Sequence, residues 1–285
     1  MTLRMTCPPV WMAALAALCV AGAASAAART ASSRTAPVRV PSECRAEPAR
    51  SETLDGIDRR GELRLGSGAR AVLDSLRWPD GDDAAALAWL SALRGSRLVV
   101  VPRGTPDRWG RERVDAMVEG TDTDLAGGLI GAGLAMADAN EADSLCRPAL
   151  RAVEAAARAD GRGLWRAPPP AADDGPSLRA LEGRFTIVEG VVRHVGERGA
   201  RTYLDFVVRG ADGLTVTVTK RTWRTMAARG LSAGTLEGRR VRVRGVVELW
   251  RGPVIEAAAE AIELLEGAPE APAGAPDRAE RGLRR

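Results

Sequence analysis

Histidine is nearly absent from this chain of 285 residues, since His194 is the only one. A metal site built from several histidines is therefore excluded, and a histidine-based catalytic triad is disfavoured. Any catalytic metal would need carboxylate ligands, which suit hard ions such as calcium or magnesium.

Lysine is equally scarce, because Lys220 is the only one, and arginine carries almost all of the positive charge. The base composition of a GC-rich genome explains this bias, given the abundance of alanine, glycine and proline. Arginine also suits bidentate phosphate contacts, so a nucleic-acid partner stays open. The net charge of +4 is too small to establish such a partner.

Long apolar runs are absent after the first 26 residues, which have the pattern of a secretory signal. Arg4 gives the positive start, Val10 to Ala23 form the apolar run, and Ala24 to Ala26 supply a small-residue cleavage site. The run is short and alanine-rich for a membrane span, and an uncleaved anchor is the alternative. We therefore expect a soluble mature protein that is periplasmic or secreted.

Cysteine is also rare, and removal of the signal leaves only Cys44 and Cys146. In an oxidising compartment an isolated pair is most simply a disulfide, and the alternative is two unpaired buried thiols. The bond would close a loop of about a hundred residues and contribute at most roughly 4–5 kcal/mol.

Residues 27–43 are rich in Ala, Ser, Thr, Arg and Pro, and we predict a flexible leader before a first domain at 44–166. Alternating residues predict paired strands at Glu62–Leu65 and Ala71–Leu76, with a hairpin turn between them. A helix capped by Asp82 or Asp83 is predicted to continue to about Arg94. Buried strands are predicted at Leu98–Val101 and Val114–Val118, and helices at Leu125–Leu134 and Leu145–Ala159.

A proline-rich linker at 167–177 precedes a second domain at 178–266, and the tail at 267–285 is predicted to be disordered. Strands are predicted at Arg184–Val195, Thr202–Arg209, Leu214–Lys220, Arg239–Trp250 and Val254–Leu265, with a helix at Thr222–Arg229. Three strands, a helix and two strands is the order of an oligonucleotide-binding (OB) barrel. The predicted fold class is thus mainly β with helices (α+β), with an OB-type barrel in the second domain.

Alternation along the second domain also predicts a candidate binding surface. Leu204, Phe206 and Val208 are expected to face inward, and Tyr203, Asp205, Arg209, Thr215, Thr217 and Thr219 outward. Arg240, Arg242 and Arg244 are expected to form a row on the outside. Such a surface suits phosphate contacts, and the alternative is a solvated barrel wall. Single-strand binders stack bases on several aromatic residues, and only Tyr203, Trp223 and Trp250 are available for this.

Several motifs resemble those of the thermonuclease (staphylococcal-nuclease-like) family over Glu62–Trp165. They are the D-R-W-G-R turn at Asp107–Arg111, the G-L-A segment from Gly133, and the segment Cys146–Trp165 with its Gly-Leu-Trp end. The resemblance implies that the first domain is a five-stranded OB-type barrel with three helices, which gives the chain two OB-type barrels. The segments that begin G-R-F-T-I-V and G-R-R-V-R-V resemble an OB-like domain appended to some proteobacterial relatives of that family.

The family's catalytic residues are only partly present. In thermonucleases two aspartates hold calcium, a glutamate activates water, and two arginines contact the phosphate. Carried over, the aspartates fall at Gly61 and Arg77, the glutamate at Asp80, and the arginines at Val72 and Arg111. Glu62 is a candidate substitute ligand for calcium, with Asp82 a weaker one.

The resemblance therefore implies a degenerate nuclease that binds single-stranded DNA or RNA, or another anionic polymer. One alternative is an active calcium-dependent endonuclease with Asp80 as general base and Arg111 on the phosphate. A further alternative is a protein-interaction module of the cell envelope.

Overall fold

A closed barrel forms the first half of the chain in the computed structural model, which describes residues 40–80, 84–139 and 144–265. The strands of this half are β1 (Arg50–Ile57), β2 (Leu63–Leu65), β3 (Arg70–Leu73), β4 (Leu76–Arg77), β5 (Arg97–Arg103), β6 (Glu112–Val118) and β7 (Met136–Ala137). Five of them close the barrel in the order β1-β2-β3-β6-β5, and only β3 and β6 are parallel. This architecture is consistent with an OB-like barrel.

Three helices pack against this barrel: α1 (Ala84–Ser91), α2 (Leu125–Gly131) and α3 (Leu150–Ala159). The last two are shorter than predicted. Helix α3 begins only at Leu150 because a residue that precedes a proline, here Arg147 before Pro148, is disfavoured in the α conformation. Helix α2 begins after Asp124, whose carboxylate accepts a hydrogen bond from the Gly127 N–H.

The glycines of the Gly-Leu-Ala and Gly-Leu-Trp motifs lie against each other. Gly133 has a φ of +69°, and its carbonyl accepts a hydrogen bond from the Leu164 N–H at 2.8 Å. A Cβ atom at Gly133 would lie 2.2 Å from the Arg162 carbonyl oxygen, and one at Gly163 would lie 2.2 Å from the Gly133 oxygen. Both glycines are thus required by a close approach of two backbones.

The predicted disulfide is confirmed, because Cys44 and Cys146 are bonded with a Cα–Cα distance of 5.0 Å. It joins the segment before β1 to the segment before α3. None of the helices in the described ranges has the length and apolar composition that a bilayer span requires. The predicted signal at residues 1–26 and tail at 267–285 lie outside the described residues.

The second half contains two sheets. Its strands are β8 (Phe185–Val191), β9 (His194–Glu197), β10 (Arg201–Asp205), β11 (Thr215–Thr219), β12 (Arg240–Val246), β13 (Glu248–Leu249), β14 (Pro253–Glu256) and β15 (Ile262–Leu264). One sheet has the order β13-β14-β11-β10-β9 and the other β15-β12-β8. Its helices are α4 (Gly175–Arg179), α5 (Lys220–Ala228) and α6 (Ala233–Leu236). Their apolar side chains share one core around Leu204, Val216 and Val243.

Three strands of the second half that the alternation pattern predicts as continuous are each divided in two. At Val192 the chain leaves the smaller sheet, and the Arg193 N–H already bonds the Asp205 carbonyl in the larger one. The chain passes from the smaller sheet to the larger one a second time at Val247, between β12 and β13, where the Val247 N–H bonds the Arg184 carbonyl. Each of these two long strands therefore contributes to both sheets around one core.

The two halves share a third, smaller core. Met136, Ala157 and Trp165 of the first half pack with Phe185 and Ile187 of β8. Part of the predicted linker also has structure, because Ala172 is buried and its N–H bonds the Glu189 carbonyl.

Candidate nucleic-acid interface

Asp80, the predicted general base, contacts the second half. Its Oδ2 accepts a hydrogen bond from the Phe185 N–H at 2.5 Å, and its carbonyl accepts one from Arg184 at 2.8 Å. The Arg77 guanidinium lies 4.6 Å from the centre of the Phe185 ring. The start of β8 thus contacts the loop that the resemblance associates with catalysis.

The structure does bring Glu62 and Arg111 together, with 3.8 Å between Oε2 and Nη1. Glu62 is buried and accepts two hydrogen bonds from Arg70, at 2.6 and 3.0 Å. Two guanidinium groups therefore already neutralise this carboxylate, which disfavours its use as a calcium ligand. Among the residues that the structure describes, no three Asp, Glu, His or Cys side chains are grouped as metal ligands.

Asp107 fixes Arg111 from within the same turn. Its Oδ2 accepts a hydrogen bond from Arg111 Nε at 2.8 Å, and its Oδ1 accepts the N–H groups of Trp109 and Arg111. Burial raises the pKa of the Asp107 carboxyl, but the Arg111 and Trp109 hydrogen bonds outweigh it and hold the pKa below its ordinary value.

Gly61, at the position that the resemblance assigns to a calcium aspartate, is covered. It has a φ of +76°, and a Cβ atom there would lie 2.1 Å from the Trp78 ring. A side chain cannot be accommodated without moving Trp78. Asp82, the weaker candidate ligand, lies outside the described residues.

The expected row of exposed arginines is wrong at Arg244. Its side chain is buried and donates two hydrogen bonds to Glu154 of α3, at 2.9 and 2.7 Å. Alternation correctly places this residue outside the core of the second half, but that face packs against the first half. Arg244 is therefore an interdomain ion-pair residue.

The row is also interrupted at Arg242. This side chain is buried and contacts Glu189 at 2.6 Å and Glu263 at 3.0 Å. Only Arg240 is exposed, and it too is paired with Glu189, at 3.3 Å. The neighbouring strands β8 and β15 supply these carboxylates, so the arginines are neutralised within the smaller sheet.

The outer face of the larger sheet has the predicted polar character. Tyr203 is paired with Thr217 across β10 and β11, and Asp205 is paired with Thr215. Leu204 lies on the opposite face and is fully buried, as predicted. The inward prediction is wrong for Val208, which is 71% exposed because β10 ends at Asp205 and the chain turns away from the core.

A groove of about 850 Å³ crosses this face. It is larger than the cavity of about 220 Å³ between the two halves. Tyr203, Thr215 and Thr217 line the groove, and Trp250 stands beside it at the β13–β14 hairpin. Trp250 is 65% exposed, whereas Trp223 is buried in the core and unavailable for stacking.

Four arginines surround the groove and have no carboxylate partner within the described residues: Arg193, Arg198, Arg209 and Arg251. Arg251 lies 5.4 Å from the Trp250 ring and has a φ of 60°, an uncommon conformation for a residue other than glycine. Two carboxylates line the same groove, so positive charge predominates there.

Gly196 leaves space beside Tyr203. It is the cross-strand partner of Tyr203 on β9, and a Cβ atom there would come no closer than 3.7 Å to its nearest neighbour, the His194 ring. With no side chain at this position, the tyrosine is open on the β9 side. The groove can therefore accept a flat group next to Tyr203.

Of these groove residues, alternation along the strands identifies Tyr203, Asp205, Arg209, Thr215 and Thr217. Arg198 and Arg251 lie in turns, where a period of two residues gives no information, and Arg193 lies where the chain passes from β8 to β9. The weak sequence signal for them is that arginine, glycine and tryptophan recur at the turns between strands.

Compared with models of known protein families and with curated proteins, the chain matches none of them.

Proposed function

We propose that the second half binds single-stranded nucleic acid in the groove beside Tyr203. The observation that carries the proposal is the combination of Tyr203 on the groove floor with Trp250 and four surrounding arginines that lack a carboxylate partner among the described residues. Bases stack on aromatic rings, and guanidinium groups bind the phosphates between them.

The strand pairing supports an OB-like barrel as the architecture of this half. Strands β11 and β14 are parallel while the other pairs are antiparallel, and α5 follows β11. In OB barrels the second and third strands and the hairpin before the last barrel strand form the usual ligand face. These elements correspond to β10, β11 and the β13–β14 hairpin.

For the first half we propose a thermonuclease-like fold whose nuclease site has degenerated. The engagement of Asp80 by Phe185 and the neutralisation of Glu62 by Arg70 both support this proposal. We also propose that the protein is exported to the periplasm or out of the cell, because the Cys44–Cys146 disulfide is stable in an oxidising compartment.

Fluorescence anisotropy with labelled 12-mers of DNA and RNA tests the binding. We expect Tyr203→Ala and Trp250→Ala each to weaken binding by about tenfold, because base stacking contributes roughly 1–3 kcal/mol. Trp109→Ala is the matched control, since Trp109 is an exposed tryptophan of the first half. Equal weakening by all three substitutions would place binding outside the groove.

Salt dependence gives a second criterion. If about four phosphates contact arginines, the logarithm of the affinity falls with the logarithm of the salt concentration with a slope of about −3. The absence of binding at low salt would overturn the proposal and favour a protein-interaction module.

The endonuclease alternative is distinguished in the same samples. Cleavage that requires calcium, stops with a chelator and is lost in Arg111→Ala would contradict the degenerate-site proposal. We expect the oligonucleotides to be bound and to remain uncleaved, both with calcium and with the chelator.

A further inference from the structure

We infer that Asp205 makes the groove selective for guanine at the position beside Tyr203. This inference rests on the proposed function, because it names the base that the same groove prefers. The observation behind the inference is that the Asp205 carboxylate lies in a groove whose arginines attract phosphates. A groove that bound nucleic acid without regard to sequence would bind it more tightly without this negative charge.

The two carboxylates of the groove differ in their partners. Asp212 accepts two hydrogen bonds from Arg179, at 3.0 and 2.8 Å, and is thereby neutralised. Asp205 has no cationic partner among the described residues. It is therefore the carboxylate of this groove that is available to a ligand.

The Asp205 side chain is oriented by the adjacent strand. Thr215 Oγ1 donates a hydrogen bond to Asp205 Oδ1 at 3.0 Å, and no described residue donates to Oδ2. His194 is the cross-strand partner of Asp205 on β9, but its Nδ1 lies 3.2 Å from Glu237. The free oxygen and the remaining lone pair of Oδ1 can thus accept hydrogen bonds from a ligand.

Asp205 also lies at the correct distance from Tyr203. The two residues are separated by one position on β10, so they share a face and their Cα atoms are about 7 Å apart. A base that stacks on Tyr203 extends about half of that distance from its centre to its edge. Its Watson–Crick edge can therefore come within hydrogen-bond length of the Asp205 carboxylate.

The chemistry of this edge selects guanine. Its N1–H and N2 amino groups lie side by side, and both can donate to the two oxygens of one carboxylate. Adenine and cytosine offer one amino group beside an acceptor nitrogen. Thymine and uracil offer one N–H between two carbonyl oxygens, which a carboxylate repels. Carboxylates read bases in this way, as acceptors of base N–H groups.

Anisotropy measurements with DNA nonamers test the selectivity on the unmodified protein. The nonamers consist of four thymidines on each side of a central guanine, inosine, cytosine, adenine or thymine. We expect the guanine nonamer to bind about tenfold more tightly than the all-thymine one, from the size of a bidentate base contact. Inosine, which lacks the N2 amino group, should bind with intermediate affinity.

Two matched variants assign the effect to Asp205. Asp205→Asn should bind guanine and thymine nonamers within twofold of each other, with a stronger absolute affinity for thymine. Asp173→Asn, at an exposed position outside the groove, should retain the tenfold preference.

Equal binding of the guanine, inosine and thymine nonamers by the unmodified protein would overturn the selectivity and leave the proposed binding intact. A preference that persists in Asp205→Asn would also overturn it. The absence of binding to any nonamer would overturn the proposed function together with the inference.

Discussion

Glu154 has no exposed surface and lies where the two halves meet. It accepts two hydrogen bonds from Arg244, one from the Ala137 N–H and one from Arg158. We expect Arg244→Ala to lower the free energy of unfolding by about 3–5 kcal/mol, because it leaves a buried carboxylate without its main partner. Urea denaturation measures this change.

Arg240→Ala is the control for that substitution. Arg240 is on the same strand and is also ion-paired, but it is exposed, and an exposed pair contributes at most about 1 kcal/mol. A similar loss in both variants would contradict the interdomain role of Arg244.

The same carboxylate makes stability depend on pH. Burial raises the pKa of Glu154, but the Arg244 hydrogen bonds and charge and the Ala137 N–H outweigh it, so the folded-state pKa is lowered. A lowered pKa contributes stability that is complete above the unfolded-state value of about 4.3 and is lost as the pH falls below it. We expect urea midpoints to decrease below about pH 4.3, and Glu154→Gln to reduce that decrease. An equally steep decrease in the variant would contradict this origin.

At this scale the sequence indicates which side of a strand a residue occupies, but not what covers it. Tyr203 and Arg244 both face away from the core of the second half, as alternation predicts. One borders an open groove and the other contacts α3 of the first half, 90 residues away along the chain. Short-range patterns contain no information on such a contact.

At the scale of an element, the β13–β14 hairpin combines strain and exposure. Arg251 adopts a φ of 60° at its tip, where glycine would fit without strain. We expect Arg251→Gly to leave stability unchanged or raise it by up to about 1 kcal/mol. The same variant should bind single strands more weakly, because it loses one of the groove arginines.

Thermal unfolding measures the stability of this variant, and anisotropy on the same sample measures its affinity for single strands. Unchanged or raised stability together with a lower affinity would assign Arg251 a role in binding and not in the structure of the hairpin. A variant that is both less stable and weaker in binding would indicate that Arg251 supports the hairpin.

Alternation predicted β2, and apolar runs predicted β5 and β6. The strand predicted at Ala71–Leu76 is divided into β3 and β4, and β1 was not predicted. In β1 only Leu54 and Gly56 are buried, so the strand has little apolar pattern of its own. Pairing with β2 and β5 defines it. The strand divisions at Val192 and Val247 were also not predictable, because a change of partner sheet leaves the residue pattern intact.

At the scale of the whole molecule, the disulfide spans 102 positions. We expect the double substitution Cys44→Ser and Cys146→Ser to lower the free energy of unfolding by up to about 4.7 kcal/mol, the loop-closure value for this length. Urea denaturation of the unmodified protein under a reductant should give the same loss. A loss below about 1 kcal/mol would show that the reduced chain stays constrained by other contacts.

The candidate site was only partly predictable at this scale. A nucleic-acid surface on the second half was expected, and Tyr203, Thr215 and Thr217 line the groove proposed for it, whereas Thr219 caps α5. Arg209 lines the groove as expected. Arg240, Arg242 and Arg244 instead lie on the smaller sheet, and arginines from outside the strands surround the groove. Which turns approach which strands depends on the closed packing of the sheets.

The small core between the halves has a consequence for the gene. A stop codon in the linker would remove Phe185, Ile187 and Arg244 at once. The remaining polypeptide would expose Met136 and Trp165 to water and leave Glu154 without its main cation. We therefore expect the first half to be less stable when it is expressed without the second, although it keeps its own larger core.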